Sequence, residues 1–230
     1  MPQVPAETRS LVGEDAETEL GRMGLSSALL VQACVDGLRA ADNQHDPFEP
    51  AISLGFQRWS KTVGALRAAL EELGWTKHDH LNAPRSVSPD GTVAIAVIGG
   101  NQDTGDPGHK PENARARGAV LLSEVQANAA RRGTAVPCQL TLDLGDAPLG
   151  PAVDARAVST WILLNRVDAG ARVLRCELSL PLSCHDGVVD QWARRIILPE
   201  APVDGIAVDG RQDGGILPSD DVDFEVTAVG

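Results

Sequence analysis

Apolar side chains recur at helical spacing through the first third of the chain. Between Ser53 and Gly74 they alternate steps of three and four residues, which predicts an amphipathic helix capped by Ser53 and ended by Gly74. Similar patterns predict helices over Ser26–Ala41 and Arg117–Arg132. A core helix is the ordinary interpretation of the longest stripe, and a docking face for a partner helix is the alternative. That stripe consists of Phe56, Trp59, Val63, Leu66, Leu70 and Leu73.

Continuous or alternating apolar residues predict strands farther along. Residues 93–98 are all apolar, which is typical of a strand buried on both faces, and Pro89-Asp90-Gly91 predicts a turn that pairs them with Pro84–Ser88. The segments Val158–Val167 and Arg172–Leu180 predict a second hairpin. Further predicted elements are strands over Cys138–Leu144 and Val222–Ala228 and a short helix over Val188–Arg195.

The second strand of that hairpin alternates in polarity. Leu174 and every second residue after it are apolar and predicted to face the core, whereas Glu177 and Ser179 are predicted to face outward. Glu177 is expected to pair with Arg175 or with Arg166 across the hairpin. Pro181 is expected to end the strand, because proline cannot donate a ladder hydrogen bond.

Together these elements predict an α+β fold whose N-terminal part is helical. The sheet is expected to be mixed and largely antiparallel, with about five to six strands and three to four helices. Residues 1–22 carry five acids and two basic residues, and residues 200–230 carry eight acids and one arginine, so the two ends hold −10 of a net charge of −12. The predicted division is therefore an acidic N-terminal arm (1–22), a single α+β domain (23–199) and an acidic C-terminal segment (200–230) ending in an edge strand.

Charge and cysteine usage narrow the class of protein. The acidic balance argues against binding nucleic acid or an anionic membrane, since both require clustered positive charge. No C-x-x-C pair and no secretion signal is present, so we expect free thiols in a reducing cytoplasm. Arginine outnumbers lysine 17 to 3 and tyrosine is absent, a bias that associates with bacterial or mobile-element origin.

A long polar loop is the first candidate ligand site. It follows the buried strand at 93–98 and precedes a predicted helix, and strand–loop–helix geometry can direct backbone N–H groups at a phosphate. Neither a Walker A sequence nor a G-x-G-x-x-G sequence is present. A mobile surface loop and a partner-binding loop are the other interpretations. The candidate ligand-binding residues are Asn101, Asp103, Thr104, Asp106, His109, Lys110, Arg115 and Arg117.

A second candidate is a metal site at His78, Asp79 and His80. Two imidazoles and a carboxylate suit zinc or iron. The stretch follows a helix stop and is predicted to be a loop, so a third ligand such as His109, Asp103 or His185 would have to be brought in by the fold. Solvated loop side chains are the ordinary alternative.

No sequence feature assigns catalytic residues or a cofactor. A G-x-S-x-G elbow is absent, and Cys184, His185 and Asp186 are adjacent residues whose side chains diverge. The predicted function is therefore a cytoplasmic, non-enzymatic interaction or accessory protein that binds a protein partner. One alternative is a small ligand-, nucleotide- or metal-binding enzyme that uses the 99–117 loop. A second alternative is an acidic inhibitor that mimics DNA, and homo-oligomerisation stays open.

Overall fold

A computed structural model describes residues 8–46, 48–80, 82–132 and 158–204, without the side chains of Ala51 and His80. Four helices lie in this part of the chain, and none of them is long and apolar enough to span a bilayer. The helices are α1 (Gly13–Arg22), α2 (Ser27–Asp42), α3 (Ala51–Glu71) and α4 (Ala119–Arg131). The strands are β1 (Arg9–Leu11), β2 (Thr76–His80), β3 (Ala83–Val87), β4 (Val93–Gly99), β5 (Ser159–Asp168), β6 (Val173–His185), β7 (Val188–Ile197) and β8 (Ala201–Pro202).

All of these strands belong to one mixed sheet. Its order is β1-β7-β6-β5-β4-β3-β2, with β8 paired to β6. The β1–β7 and β4–β5 pairs are parallel, and the other pairs are antiparallel. The predicted α+β class with a mixed, largely antiparallel sheet is confirmed, although the sheet has more strands than expected.

Helices cover both faces of the sheet. On one face α1, α2 and α3 bury Leu20, Leu30 and Leu66 against Leu163 and Leu178. On the other face α4 packs Leu121 and Val125 against side chains from β4, β5 and β7. An alternating strand pattern predicts that every second residue faces solvent. Because α4 covers that face of the sheet, those residues face a second core instead. The outward orientation predicted for Glu177 and Ser179 is wrong, because both side chains are fully buried.

The two helices predicted first are confirmed. The Ser26 hydroxyl accepts a hydrogen bond from the Leu29 amide at 3.2 Å and caps α2. Helix α3 begins at Ala51 after Pro50, so Ser53 is not its cap. Gly74 ends the helix with a positive φ of 80°, and the Trp75 amide bonds back to the Leu70 carbonyl at 3.1 Å.

Helix α3 extends past the carboxyl end of β4. The Trp59 indole donates to the Val97 carbonyl near that end, and Gly74 lies beside Pro89, which precedes β4. The helix thus runs antiparallel to β4, and the eight residues before Trp59 extend about 12 Å beyond that contact at 1.5 Å per residue. Within the predicted stripe Leu66 and Leu70 are buried, whereas Phe56 and Leu73, at its two ends, are exposed.

The predicted helix over Val188–Arg195 is wrong, since these residues lie in β7. Pro181 does not end β6 either, because that strand continues to His185. The pairing of β6 with β7 shifts register on both sides of Pro181, which is a β-bulge. The bulge places Val189 and Trp192 in the same core although they are three residues apart. Their three-residue spacing is therefore the same as that of apolar residues on one face of a helix, which explains the wrong prediction.

The bulge is held by one side chain of α4. The β5–β6 pairing ends at Ile162 and Ser179, two residues before Thr160 and Pro181 are reached, and proline has no N–H to continue the ladder. Instead the buried Asn128 amide donates to the Thr160 carbonyl at 2.8 Å and accepts from the Thr160 N–H at 3.1 Å. It also donates to the Pro181 carbonyl at 3.2 Å. Asn128 thereby bridges the two strands where the ladder is interrupted.

The acidic N-terminal segment is largely part of the folded unit. Residues 9–11 form β1 at the edge of the sheet, and α1 buries Ala16 and Leu20 in the main core. The predicted domain boundaries themselves stay a prediction. The strands predicted over Cys138–Leu144 and Val222–Ala228 lie outside the described residues.

Candidate functional site

The loop that joins β4 to α4 is held against the sheet rather than extended from it. At its base the Ala114 amide donates to the Gly99 carbonyl and the Asn101 amide donates to the Glu112 carbonyl, both at 2.9 Å. These bonds close residues 100–113 into a compact lobe. The lobe lies over β6 and β7 on the face that α4 also covers.

A buried ion pair anchors the first part of the loop. The Arg195 guanidinium on β7 donates to both carboxylate oxygens of Glu177 on β6, at 3.1 and 2.6 Å. Arg195 also donates to the His109 carbonyl at 2.6 Å and to the Asp106 carbonyl at 2.9 Å. Glu177 accepts two further bonds, from the Ser179 hydroxyl at 2.7 Å and the Gly105 amide at 3.0 Å. The pairing predicted between Glu177 and Arg175 or Arg166 is therefore wrong.

A second set of bonds anchors the end of the loop to the β6–β7 turn. Asp186 and Gly187 form that turn with positive φ angles of 49° and 76°, as a two-residue Asp-Gly hairpin requires. The buried Asn113 amide donates to the Gly187 carbonyl at 2.9 Å and accepts from the Val189 N–H at 2.8 Å. The Trp192 indole donates to the Pro111 carbonyl at 2.8 Å. The loop is thus fixed by buried partners along its length.

The loop residues singled out from the sequence have different surroundings. The Asn101 side chain accepts from the Asp103 amide at 3.1 Å and shapes the first turn. Thr104 is fully buried, and its side chain is not available to a ligand. Lys110 and Arg115 are exposed, whereas the Arg117 amide donates to the Gly187 carbonyl at 2.9 Å. The Gly105 amide is bonded to the Glu177 carboxylate and so is not directed at a ligand, and the phosphate site predicted for this loop stays a prediction.

Asp106 and His109 form a side-chain ion pair within the lobe. Asp106 Oδ2 lies 2.8 Å from His109 Nδ1, and both side chains reach solvent. The hydrogen bond from His109, followed by that from the Gly108 amide, holds the pKa of Asp106 below its usual value. The same bond to Asp106 raises the pKa of His109 above 6.5. The pair could bind or release a proton near neutral pH, with Asp106 orienting the imidazole.

The loop predicted at His78, Asp79 and His80 is wrong, because these residues form the edge strand β2. Arg67 on α3 binds the Asp79 carboxylate through both terminal nitrogens, and this hydrogen bonding lowers the pKa of Asp79. Strands β3, β4 and β5 separate β2 from the sheet positions beneath the lobe, so the fold does not bring this trio to Asp106 and His109. Among the described residues, no three His, Cys, Asp or Glu side chains are grouped to hold a metal ion.

Three of the five exposed large apolar side chains among the described residues lie at the start of α3 and in the connection before it; the other two are Val12 and Leu73. Phe48 in the α2–α3 connection is 95% exposed, and Ile52 and Phe56 in the first turns of α3 are 37% and 63% exposed. We call these three residues the apolar tip. Ile52, Phe56 and Trp59 follow the spacing of one helix face, and Trp59 points to the sheet at Val97. The helical part of the apolar tip therefore continues the core-facing stripe beyond the carboxyl end of β4.

Hydrogen bonds fix the backbone that carries the apolar tip. The Asp46 carboxylate accepts from the Phe48 amide at 2.9 Å, and its carbonyl accepts from the Glu49 amide at 3.0 Å. The Gln57 amide donates to the Glu49 carboxylate at 2.7 Å and ties the connection to the helix. The Phe56 ring lies 5.6 Å from the Trp59 ring, centroid to centroid. The tip is thus an ordered apolar surface rather than a loose end.

Sequence reasoning missed both the Glu177–Arg195 pair and the apolar tip. Glu177 stands in an alternating strand, and no local pattern marks a carboxylate that a distant loop will cover. Phe48, Ile52 and Phe56 do share a four-residue spacing after an Asp-Pro turn. That spacing is the same for buried and exposed residues, so it could not identify the tip as exposed.

Two other predicted features are only partly described. Cys34 and Cys176 are buried and unbridged, Cys184 is half-buried and unbridged, and Cys138 lies outside the described residues. The acidic face required for DNA mimicry would span Asp204–Glu225, of which only Asp204 is described. That alternative stays a prediction.

The described arrangement offers an apolar surface at the start of α3 and, on the opposite face of the sheet, a carboxylate–imidazole pair that reaches solvent. Comparison of the chain with models of protein families, with curated proteins and with solved structures found no match.

Proposed function

We propose that the protein is a non-enzymatic interaction protein that docks a protein partner on the apolar tip. The exposure of Phe48, Ile52 and Phe56 on an ordered backbone is the observation that carries this proposal. Contiguous exposed apolar groups are unfavourable in water, and they mark interaction surfaces when they lie together on a fixed scaffold. Aromatic anchors are also the side chains that contribute most to protein–protein affinity.

The position of the tip supports the same function. The stripe is buried at Leu66 and Leu70 and continues beyond the carboxyl end of β4, so a partner on the tip would extend an existing core rather than start a new one. A cytoplasmic setting in a bacterium or mobile element follows from composition alone.

Site-specific photocrosslinking tests this function. A benzoylphenylalanine residue replaces Phe48 in one variant and the exposed Glu72, at the other end of α3, in a matched control. In lysate of the organism that encodes the chain, we expect a discrete crosslinked protein from position 48 and none from position 72. The band should weaken at least about tenfold when Ile52→Ser and Phe56→Ser are added, since they remove two anchors.

Identical bands from positions 48 and 72 would contradict the proposal. So would a band from position 48 that persists unchanged in the Ile52→Ser, Phe56→Ser variant. Circular dichroism of each variant separates these outcomes from unfolding, because exposed positions are expected to change the free energy of unfolding by less than about 0.5 kcal/mol.

The Asp106–His109 pair favours a second candidate function, a small ligand-binding enzyme that uses the loop. A positioned imidazole with a raised pKa is suited to general acid–base chemistry. Thermal unfolding against divalent metals, nucleotides and common cofactors tests it. A ligand present at about 100 times its Kd would stabilise the native state by about 2.7 kcal/mol, and the shift should vanish in Asp106→Asn. Absence of any shift across this panel would count against this candidate.

A further inference from the structure

We infer that the apolar tip binds a basic amphipathic helix of another protein. This inference deepens the proposed function and rests on it. The charge of the tip, its geometry, and the composition of the rest of the chain each bear on what can cover it.

The apolar tip is bordered by acids. Residues 42–57 contain Asp42, Asp46 and Glu49 and no lysine or arginine. Asp46 and Glu49 flank Phe48 and are hydrogen-bonded to the tip backbone or to Gln57, so their charges are held beside the anchors. A partner with lysine or arginine beside its apolar anchors would meet both the apolar surface and its rim.

Neighbouring cations do not neutralise this rim from the same face. Arg58 is 8% exposed. Lys61 follows Ile52 by nine residues, which at 100° per residue places it half a turn around α3 from the tip. Arg39 is exposed on α2, on the helix that precedes the connection. The charge immediately around Phe48 is therefore negative.

The two long segments outside the described residues are both acidic. Residues 133–157 carry three acids and one arginine, and residues 205–230 carry six acids and one arginine, so their net charge opposes contact with an acidic rim. A second copy would place Asp46 and Glu49 of two molecules together at a shared tip, and the whole chain carries −12. Like charges juxtaposed at an interface oppose association. A basic segment from a different protein does not meet this repulsion.

The spacing of the anchors indicates a helix as the bound shape. Ile52 and Phe56 are one turn apart on one face of α3, and Phe48 lies in the connection that precedes the helix. Ridges at four-residue intervals are the surfaces into which a second helix packs its own side chains. Helix α3 already packs this way on α2, where Thr62 is set against Gly37. An amphipathic helix can therefore lay its apolar face on the tip.

Synthetic peptides test this inference directly. The probe is a fluorescent 18-residue amphipathic helix of leucine and lysine, compared with the same helix carrying glutamate for lysine and with a scrambled leucine–lysine peptide. Fluorescence anisotropy with the full chain measures each Kd at two salt concentrations. We expect the basic helix alone to bind, with a Kd that rises as salt increases because the rim attraction is screened.

Variants of the chain locate the binding. The double variant Ile52→Ser, Phe56→Ser should raise the Kd of the basic helix by about tenfold or more, because it removes two anchor side chains. The double variant Asp46→Asn, Glu49→Gln removes the two charges but keeps an oxygen that can accept each hydrogen bond, and it should raise the Kd of the basic helix severalfold. Glu71→Gln with Glu72→Gln removes the same charge at the far end of α3 and should leave the Kd unchanged.

Three outcomes would overturn the inference. If the Glu71→Gln, Glu72→Gln control weakens binding of the basic helix as much as Asp46→Asn, Glu49→Gln does, the attraction is non-specific for an acidic protein. Tighter binding of the glutamate helix, with the same dependence on Phe56, would retain the docking surface and reject a basic partner. A dimer in sedimentation velocity that Phe56→Ser dissociates would identify a second copy as the occupant. The proposed function fails separately, if position 48 gives no specific crosslink.

Discussion

Glu177 and Arg195 are charged side chains in a place where the strand pattern predicts solvent. Taking both from water is costly, and the structure offsets that cost with hydrogen bonds to every acceptor and most donors of the pair. The two carbonyls that Arg195 also reaches belong to the loop. The pair therefore couples the position of residues 105–109 to the stability of the sheet.

Replacement of one partner should be strongly destabilising. We expect Glu177→Leu to lower the free energy of unfolding by about 3–5 kcal/mol, because it leaves the Arg195 guanidinium buried without its counter-charge. Adding Arg195→Met should restore part of the loss, since the second charge is then removed as well. Urea denaturation measures both. A single variant that costs less than about 1 kcal/mol would mean that the pair is not buried as described.

His109 should titrate above its ordinary pKa of 6.5 because Asp106 binds its protonated form. The contribution of this bond to stability is then fully present below pH 6.5 and is lost as the pH rises through the raised pKa of the folded state. We expect Asp106→Asn to lower the pKa of His109, and Asp103→Asn to lower it less, since Asp103 acts only through charge. NMR titration of the imidazole protons measures each. Equal pKa values in wild type and Asp106→Asn would contradict the pairing.

At the scale of elements, the packing of α2 on α3 depends on the absence of a side chain. A Cβ added at Gly37 would lie 2.4 Å from the Thr62 Cα, which is backbone and cannot rotate away. The two helices approach closely here, and Thr62 is buried with its hydroxyl bonded to the Arg58 carbonyl at 2.8 Å. The close contact sets how α3 lies over β4, and hence how far it overhangs the sheet.

Two glycine substitutions in these helices should have opposite effects. Gly37→Ala should lower the free energy of unfolding by about 1–3 kcal/mol, because overpacking outweighs the gain in helix propensity. Gly64→Ala in α3 has open space around its Cβ and should raise the free energy by about 0.5–1 kcal/mol. Thermal and urea unfolding of both variants measure the difference. Stabilisation by Gly37→Ala would contradict the close approach.

Local patterns predicted α2, α3, α4 and the β3–β4 and β5–β6 hairpins because each element carries its own signal in consecutive residues. The Ser26 cap and the Gly74 stop are examples, since caps act within one turn. The same rules failed at β7, where the irregular pairing with β6 leaves an extra residue between Val189 and Gln191 and places Trp192 in the same core as Val189. The rules also failed at β2. Its residues are polar and carry no alternating apolar pattern, yet they pair with β3 as an edge strand.

At the scale of the molecule, the N-terminal segment contributes to the core that α2 and α3 share. Leu20 is completely buried, and Leu11 on β1 is nearly so. Arg194 on β7 forms an ion pair with Glu19, which also binds Arg22. At least one acid of this segment, Glu19, therefore makes ion pairs within the fold in addition to contributing to the net charge.

Truncation of Leu20 tests whether α1 belongs to the cooperative unit. We expect Leu20→Ala to lower the free energy of unfolding by about 2–5 kcal/mol, as for other fully buried leucines. Val12→Ala, at a side chain that is 52% exposed, should change it by less than about 0.5 kcal/mol. Urea denaturation followed by tryptophan fluorescence and by circular dichroism measures both. If Leu20→Ala leaves the free energy of unfolding unchanged, α1 is not part of the cooperative unit and the segment behaves as the arm that its charge predicts.

The sequence by itself determined the α+β class, the amphipathic helices, the tight hairpins and the apolar stripe of α3, because all of these follow from periodicity and turn chemistry over short stretches. Only the tertiary structure decided that Phe48, Ile52 and Phe56 are exposed where α3 extends past β4, while Leu66 and Leu70 are buried. It also decided that Glu177 meets Arg195 beneath a loop more than 60 residues away in sequence. Burial depends on what lies opposite a side chain, and that is set by long-range packing rather than by neighbouring residues.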